Sequence, residues 1–150
     1  RVAGQQPAPL LDFPLDAEQL AVELSDLRDM GPLSPTHFLG PSPRLKANSE
    51  ISAFARDIRR ARDSVAATVM RLGEALHGVM TFDATATTVD TNPVDAFKLR
   101  RGVCQDYSHI MILALRSLGI PAGYVSPDIG HLRSAGNQTT AQSVDVKVVA

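Results

Sequence analysis

Residues 100–126 read RRGVCQDYSHIMILALRSLGIPAGYVS, and the rest of the chain is interpreted outward from this run. Polar positions are few between Cys104 and Leu118, which marks the clearest helix of the sequence and one expected to be mostly buried. Cys104, Tyr107, Met111, Ala114 and Leu118 fall on one stripe, widened by Ile110, Ile112, Leu113 and Leu115. Gly119-Ile120-Pro121 supplies a left-handed cap, an apolar contact and a breaker, and residues 123–126 read as the strand that follows. The only cysteine of the chain opens this helix, two residues after Gly102. Unpaired backbone N–H groups point out of a first helical turn, and the positive end of the helix dipole favours thiolate over thiol. The same donors could hold the oxyanion of a tetrahedral intermediate, with Gly102 giving a substrate backbone room to approach. Cysteine acyl-transfer enzymes use this arrangement. The competing reading is a helical scaffold in which Cys104 is an inert core residue.

Upstream, Asn92-Pro93-Val94-Asp95 has the cap, first-turn proline and early acid of a helix start, and this short helix ends at Arg100-Arg101-Gly102. Residues 81–92, rich in Thr and Asp, form a loop with room for a short strand. Two helices precede it. One starts near Asn48/Ser49 with Ile51, Phe54, Ala55 and Ile58 as its stripe. The other starts at Asp63/Ser64 with Val65, Val69, Leu72, Leu76 and Val79. Residues 31–47 hold four prolines and two glycines and read as a linker that wraps a surface or delivers an edge strand. A helix over about 17–30, capped by Asp16 with Gln19 three residues on, follows an extended arm or edge strand over 1–15. Downstream, 143–149 alternates like a strand, with Val144, Val146 and Val148 on one face. The expected organisation is therefore an arm, helix and Pro-rich linker over 1–47 and a core over 48–150.

The 150 residues carry 15 Lys+Arg against 16 Asp+Glu, which leaves no composition-level case for nucleic acid. No apolar run approaches the roughly 18 residues of a membrane span, and no signal peptide is visible. A single cysteine excludes an intrachain disulfide framework and any multi-thiolate metal site, and no cofactor is expected. It fits a reducing compartment, so the expected location is the cytoplasm. The chain opens on Arg1 rather than Met, so further sequence is expected upstream.

The 100–126 run resembles the core motif of bacterial transglutaminase-like proteins: a cysteine opening a buried helix, a Gln-Asp-aromatic-x-His pattern, then a Leu-Gly-Ile-Pro-Ala turn into a Tyr-Val-Ser strand. With the helix pair and the Thr/Asp loop before it, the resemblance covers about residues 36–126. It implies an α+β, papain-like fold: a helical N-terminal half, and a buried Cys-bearing helix on a small antiparallel sheet. It also implies a Cys-His-Asp triad acting on peptide or protein amides through a thioester, with Cys104 as nucleophile. The histidine belongs on the second strand after the cysteine helix, in a His-Ala-Trp-like context. Here Gln142 or Ser143 stands there, the chain has no tryptophan, and the acid-bearing strand is missing, so the core is expected to be incomplete at its C-terminus.

Four histidines could take over the base. His131, 27 residues after Cys104 in a polar loop, is the candidate substitute. His109, five positions along the helix and about 7 Å up its axis, is too far for direct proton transfer and reads as a structural partner. His37 and His77 read as surface or helix-flank residues, and Asp106 as a capping or loop-fixing acid. Cys104, Asp106 and His109 lie on different helix faces, which argues against a metal site. Lys98, Arg100 and Arg101 would reinforce the thiolate if the chain folded back on them. The alternative to an enzyme is an interaction module that keeps the fold without the histidine and acid.

Overall fold

The computed structural model describes residues 15–28, 30–32, 34–125 and 145–148. Among the described residues five helices and four short strands follow in chain order: α1 (Ala17–Asp26), α2 (Ser49–Ile58), α3 (Val65–Val79), β1 (Thr81–Phe82), α4 (Pro93–Leu99), β2 (Arg101–Gly102), α5 (Cys104–Ser117), β3 (Ala122–Val125) and β4 (Asp145–Val148). A 3-10 turn over Pro35–Phe38 interrupts the linker before α2.

Four of the five helices start where a side chain takes up their free amides, and α5, preceded by Val103, has no such side-chain cap. Asp16 accepts from Glu18 N and Gln19 N at 3.0 and 2.8 Å, and the Gln19 side chain accepts from Asp16 N in return. Asn48 caps α2 through Glu50 N and Ile51 N, Ser64 caps α3 through Ala67 N, and Asn92 caps α4 through Val94 N. The ends were less legible. α1 stops at Asp26, short of 30, because Glu23 and Asp26 crowd the negative end of its dipole and no basic residue sits in its last turn. α2 stops at Ile58, with Arg59 already extended. α4 closes on Arg100 in the left-handed region (φ 55°), its guanidinium 4.0 Å from the centre of the Phe97 ring.

The core gathers around α5. Ile110, Ile112, Leu113, Ala114 and Leu115 are buried there, with Ile51 and Ala55 of α2, Leu72 and Leu76 of α3, and Ala96 and Phe97 of α4. Phe54 meets Phe97 edge-on at 5.5 Å. Leu20 brings α1 into the same core, and Val65 N donates to Leu15 O at 2.9 Å. The α5 stripe is rotated from the expected one: Tyr107, Met111 and Leu118 are only partly buried, and Cys104 is exposed. In α3, Val79 at the helix end is 41 % exposed, while Thr68 takes a core position.

α5 closes as expected. Gly119 adopts φ 78°, Gly119 N donates to Arg116 O, Ile120 N donates to Leu115 O, and Ile120 is buried. The chain then enters β3, which pairs antiparallel with β4 in the register Ala122↔Val148 to Val125↔Asp145. A second, parallel pair joins β1 to β2 through Thr81↔Arg101 and Phe82↔Gly102. That pair draws the end of α3 and the approach to Cys104 together, and α4 spans the connection. The linker wraps a surface instead of adding a strand: Phe38 packs on Gly123, where a Cβ would come within 2.8 Å of the ring. The fold is thus α+β, with a helical N-terminal half and the Cys-bearing helix against a small antiparallel sheet. The arm before residue 15 and the 126–144 segment, with His131, Gln142 and Ser143, lie outside the described residues.

Candidate active site

Cys104 stands exposed at the first position of α5, the one free cysteine of the chain. The amides around it are sorted by hydrogen bonding. Asp106 N and Tyr107 N both donate to Val103 O, at 2.9 and 3.2 Å. Val103 N donates to Asp106 Oδ2 at 2.8 Å. Among the described residues no acceptor faces the amides of Cys104 and Gln105. Two adjacent N–H groups are therefore left beside the sulfur, as the first turn of a helix requires.

Asp106 is 2 % exposed and works as the loop-fixing acid the sequence suggested. Its Oδ2 also accepts from Thr87 Oγ1 at 2.5 Å, across a sequence separation of 19. Both donors share one carboxylate oxygen, and that oxygen lies over Gly102. A Cβ built on Gly102 would come within 2.6 Å of it. Space for Asp106, rather than for a substrate backbone, is what this glycine supplies. A second and longer tie runs from Gln105 Nε2 to Val89 O at 3.5 Å. The 83–91 loop is itself braced: Asp83 accepts from Thr85 N and Thr85 Oγ1, and these bonds hold its carboxyl below the ordinary carboxylate range, with Arg101 at 3.8 Å adding to the effect. The Arg101 guanidinium lies 3.8 Å from Asp83, and that of Arg100 lies over the Phe97 ring.

Tyr107 is one turn along from Cys104. Burial, with the neighbouring Cys104 sulfur adding, pushes its hydroxyl above the usual tyrosine range. The exposed His77 ring lies 5.1 Å from the Tyr107 ring, a helix-flank position as expected. His37 is exposed on the 3-10 turn. His109, five residues along α5 from Cys104, packs against Tyr124 of β3. It is 8 % exposed, its ring centre is 5.8 Å from that of Tyr124, and its Nδ1 has no hydrogen-bond partner among the described residues. Burial pushes its pKa below 6.5, with Arg44 adding to the shift and Asp106 opposing it. Among the described residues no group of three or more His, Cys, Asp or Glu is arranged to hold a metal ion, and no helix is long and apolar enough to cross a membrane.

Thr87 was not singled out in the sequence. It is one of several threonines in its loop, and only the fold carries it to a carboxylate 19 residues on.

The chain is 29% identical over 107 residues to an uncharacterized protein of Mycobacterium leprae, ML0607, covering 71% of this chain and 37% of that protein. It superposes with a TM-score of 0.58 and 26% identity on a crystal structure described as "a Putative Cysteine Protease" from Cytophaga hutchinsonii, covering 67% of this chain and 33% of that one. The chain thus spans about a third of the length of these relatives. The family model of the transglutaminase-like superfamily matches residues 52–147, from within α2 to within β4 and including Cys104. With more than half of its length inside that match, the chain belongs to the transglutaminase-like superfamily.

Proposed function

We propose that this chain is the nucleophile-bearing part of a thiol-dependent acyltransferase or hydrolase acting on peptide or protein amides. One observation carries the reading: the single cysteine is exposed, at a helix start with two unclaimed amides, within the matched superfamily region. In the proposed reaction the Cys104 thiolate attacks the amide carbonyl, and the C–S bond forms as the oxygen takes the negative charge. The amides of Cys104 and Gln105 donate to that oxyanion. The C–N bond then breaks, the leaving amine takes the proton first removed from the thiol, and a thioester remains. Attack by water gives hydrolysis and attack by a second amine gives transamidation; either regenerates the thiol. His131 is the proposed base within these 150 residues.

A second reading has an observation of its own. The strand paired with β3 carries Asp145, Val146, Lys147 and Val148, with no histidine among them. On this reading the chain is a non-catalytic, transglutaminase-like interaction module. The full-length protein, incubated with a glutamine-containing peptide and a primary amine, separates the two. The enzyme reading expects amine incorporation or ammonia release, abolished by Cys104→Ala and greatly reduced by His131→Ala. Turnover that survives Cys104→Ala would end it. No turnover in the wild type together with retained peptide binding would select the interaction module.

A further inference from the structure

The bond between Thr87 and Asp106 does more than close a loop, because it acts on the same carboxylate oxygen that decides which amides at the nucleophile are free. Asp106 Oδ2 takes the Val103 N–H, the amide just before Cys104, and is held from the other side by the Thr87 hydroxyl. A glycine at 102 leaves the space for it, and burial of Asp106 excludes competing water. Removing the hydroxyl would let the carboxylate swing, release the Val103 amide and let the first turn of α5 shift under the sulfur. The anchored loop also carries Val89, 69 % exposed, whose carbonyl accepts from the side chain next to Cys104.

We propose that Thr87 and Asp106 are positioning residues for Cys104, their hydrogen bond fixing the Cys104 and Gln105 amides where an acyl oxyanion forms. This inference rests on the acyl-transfer reading above. Two reactions of the same sulfur test it in the full-length protein. Acylation by p-nitrophenyl acetate passes through an oxyanion: the C–S bond forms, then the C–O bond breaks and p-nitrophenolate leaves. Alkylation by iodoacetamide displaces iodide from carbon and forms no oxyanion. Thr87→Val should slow acylation about ten-fold, a displacement-sized loss, while alkylation changes less than about two-fold. Thr87→Ser, which keeps the hydroxyl, should restore acylation. Thr87→Ala is the second variant should the β-branched replacement unfold, with the melting temperature followed throughout. Equal loss in both reactions, or unchanged acylation in Thr87→Val and Thr87→Ala, would overturn the inference alone. Wild-type acylation no faster than that of a free thiol of equal alkylation rate would instead overturn the acyl-transfer reading, and the positioning role with it.

Discussion

Gly102 and Arg100 sit two residues apart and invert the usual logic of glycine. Arg100 holds the left-handed conformation at φ 55° without being glycine, a strain of about 1 kcal/mol that stacking of its guanidinium on Phe97 offsets by a similar amount. Gly102 has no positive φ and is glycine because Asp106 occupies the volume of a Cβ. A Cβ added at 102 would come within 2.6 Å of the Asp106 Oδ2 and 2.8 Å of the Asp106 Cβ, and the second cannot rotate away. Gly102→Ala should therefore destabilise the protein by about 1–3 kcal/mol, and urea denaturation would measure it. The same change should slow p-nitrophenyl acetate cleavage, since Asp106 can yield only by releasing Val103 N or Thr87. A Gly102→Ala protein with unchanged denaturation midpoint would mean the carboxylate has more freedom than its contacts allow.

α5 meets β3 through His109, and this contact makes the packing of helix on sheet sensitive to pH. The groups facing the imidazole are Tyr124 from β3, Arg44 from the linker and Asp106 from its own helix. Burial and Arg44 lower its pKa in the folded state, so at mildly acidic pH the unfolded chain binds a proton that the folded chain does not. Stability from this group is complete above about 6.5, its unfolded value, and falls as the pH drops below it toward the lower folded value. The melting temperature should decline between pH 7.5 and 5.5, and His109→Phe should flatten that decline by removing the proton-binding difference while keeping a ring against Tyr124. An equal slope in both proteins would assign the pH dependence to other groups. The orphaned Nδ1 adds a desolvation cost that Phe would also remove, so the variant is expected to be no less stable than wild type at pH 5.5.

Across the whole molecule, long-range ties hold the linker and sheet to the helical core. Arg116 near the end of α5 donates through Nε to Ala122 O and through Nη1 to Gly40 O, each at 2.8 Å, the second across 76 residues. One guanidinium thus joins the central helix, β3 and the linker that seats Phe38 on Gly123. Arg116→Met keeps the apolar stem and loses both bonds, and it should make the 39–47 segment a preferred site of limited proteolysis while the helical core persists. Cleavage patterns identical to wild type would show that Phe38 alone suffices to hold the linker.

Local physics wrote most of the helices into the sequence. Asp16, Asn48, Ser64 and Asn92 cap their helices as side-chain chemistry requires, Gly119 takes the left-handed turn, and the Cys104–Pro121 run states both the central helix and the family. Helix ends were less well determined, because the last turns are settled by dipole charge and neighbours more than by apolar period. Periodicity does not choose the centre of the buried α5 face, because apolar residues surround this helix widely. The tertiary structure alone decided that Cys104 faces outward, that Gly102 makes room for Asp106, and that β1 and β2 pair in parallel. It alone brought Thr87 to a carboxylate 19 residues away. Capping and turn formation depend on residues within one turn of each other and so can be read along the chain. The exposure of a sulfur and the partner of a buried carboxylate depend on what distant segments place beside them, and only packing settles that.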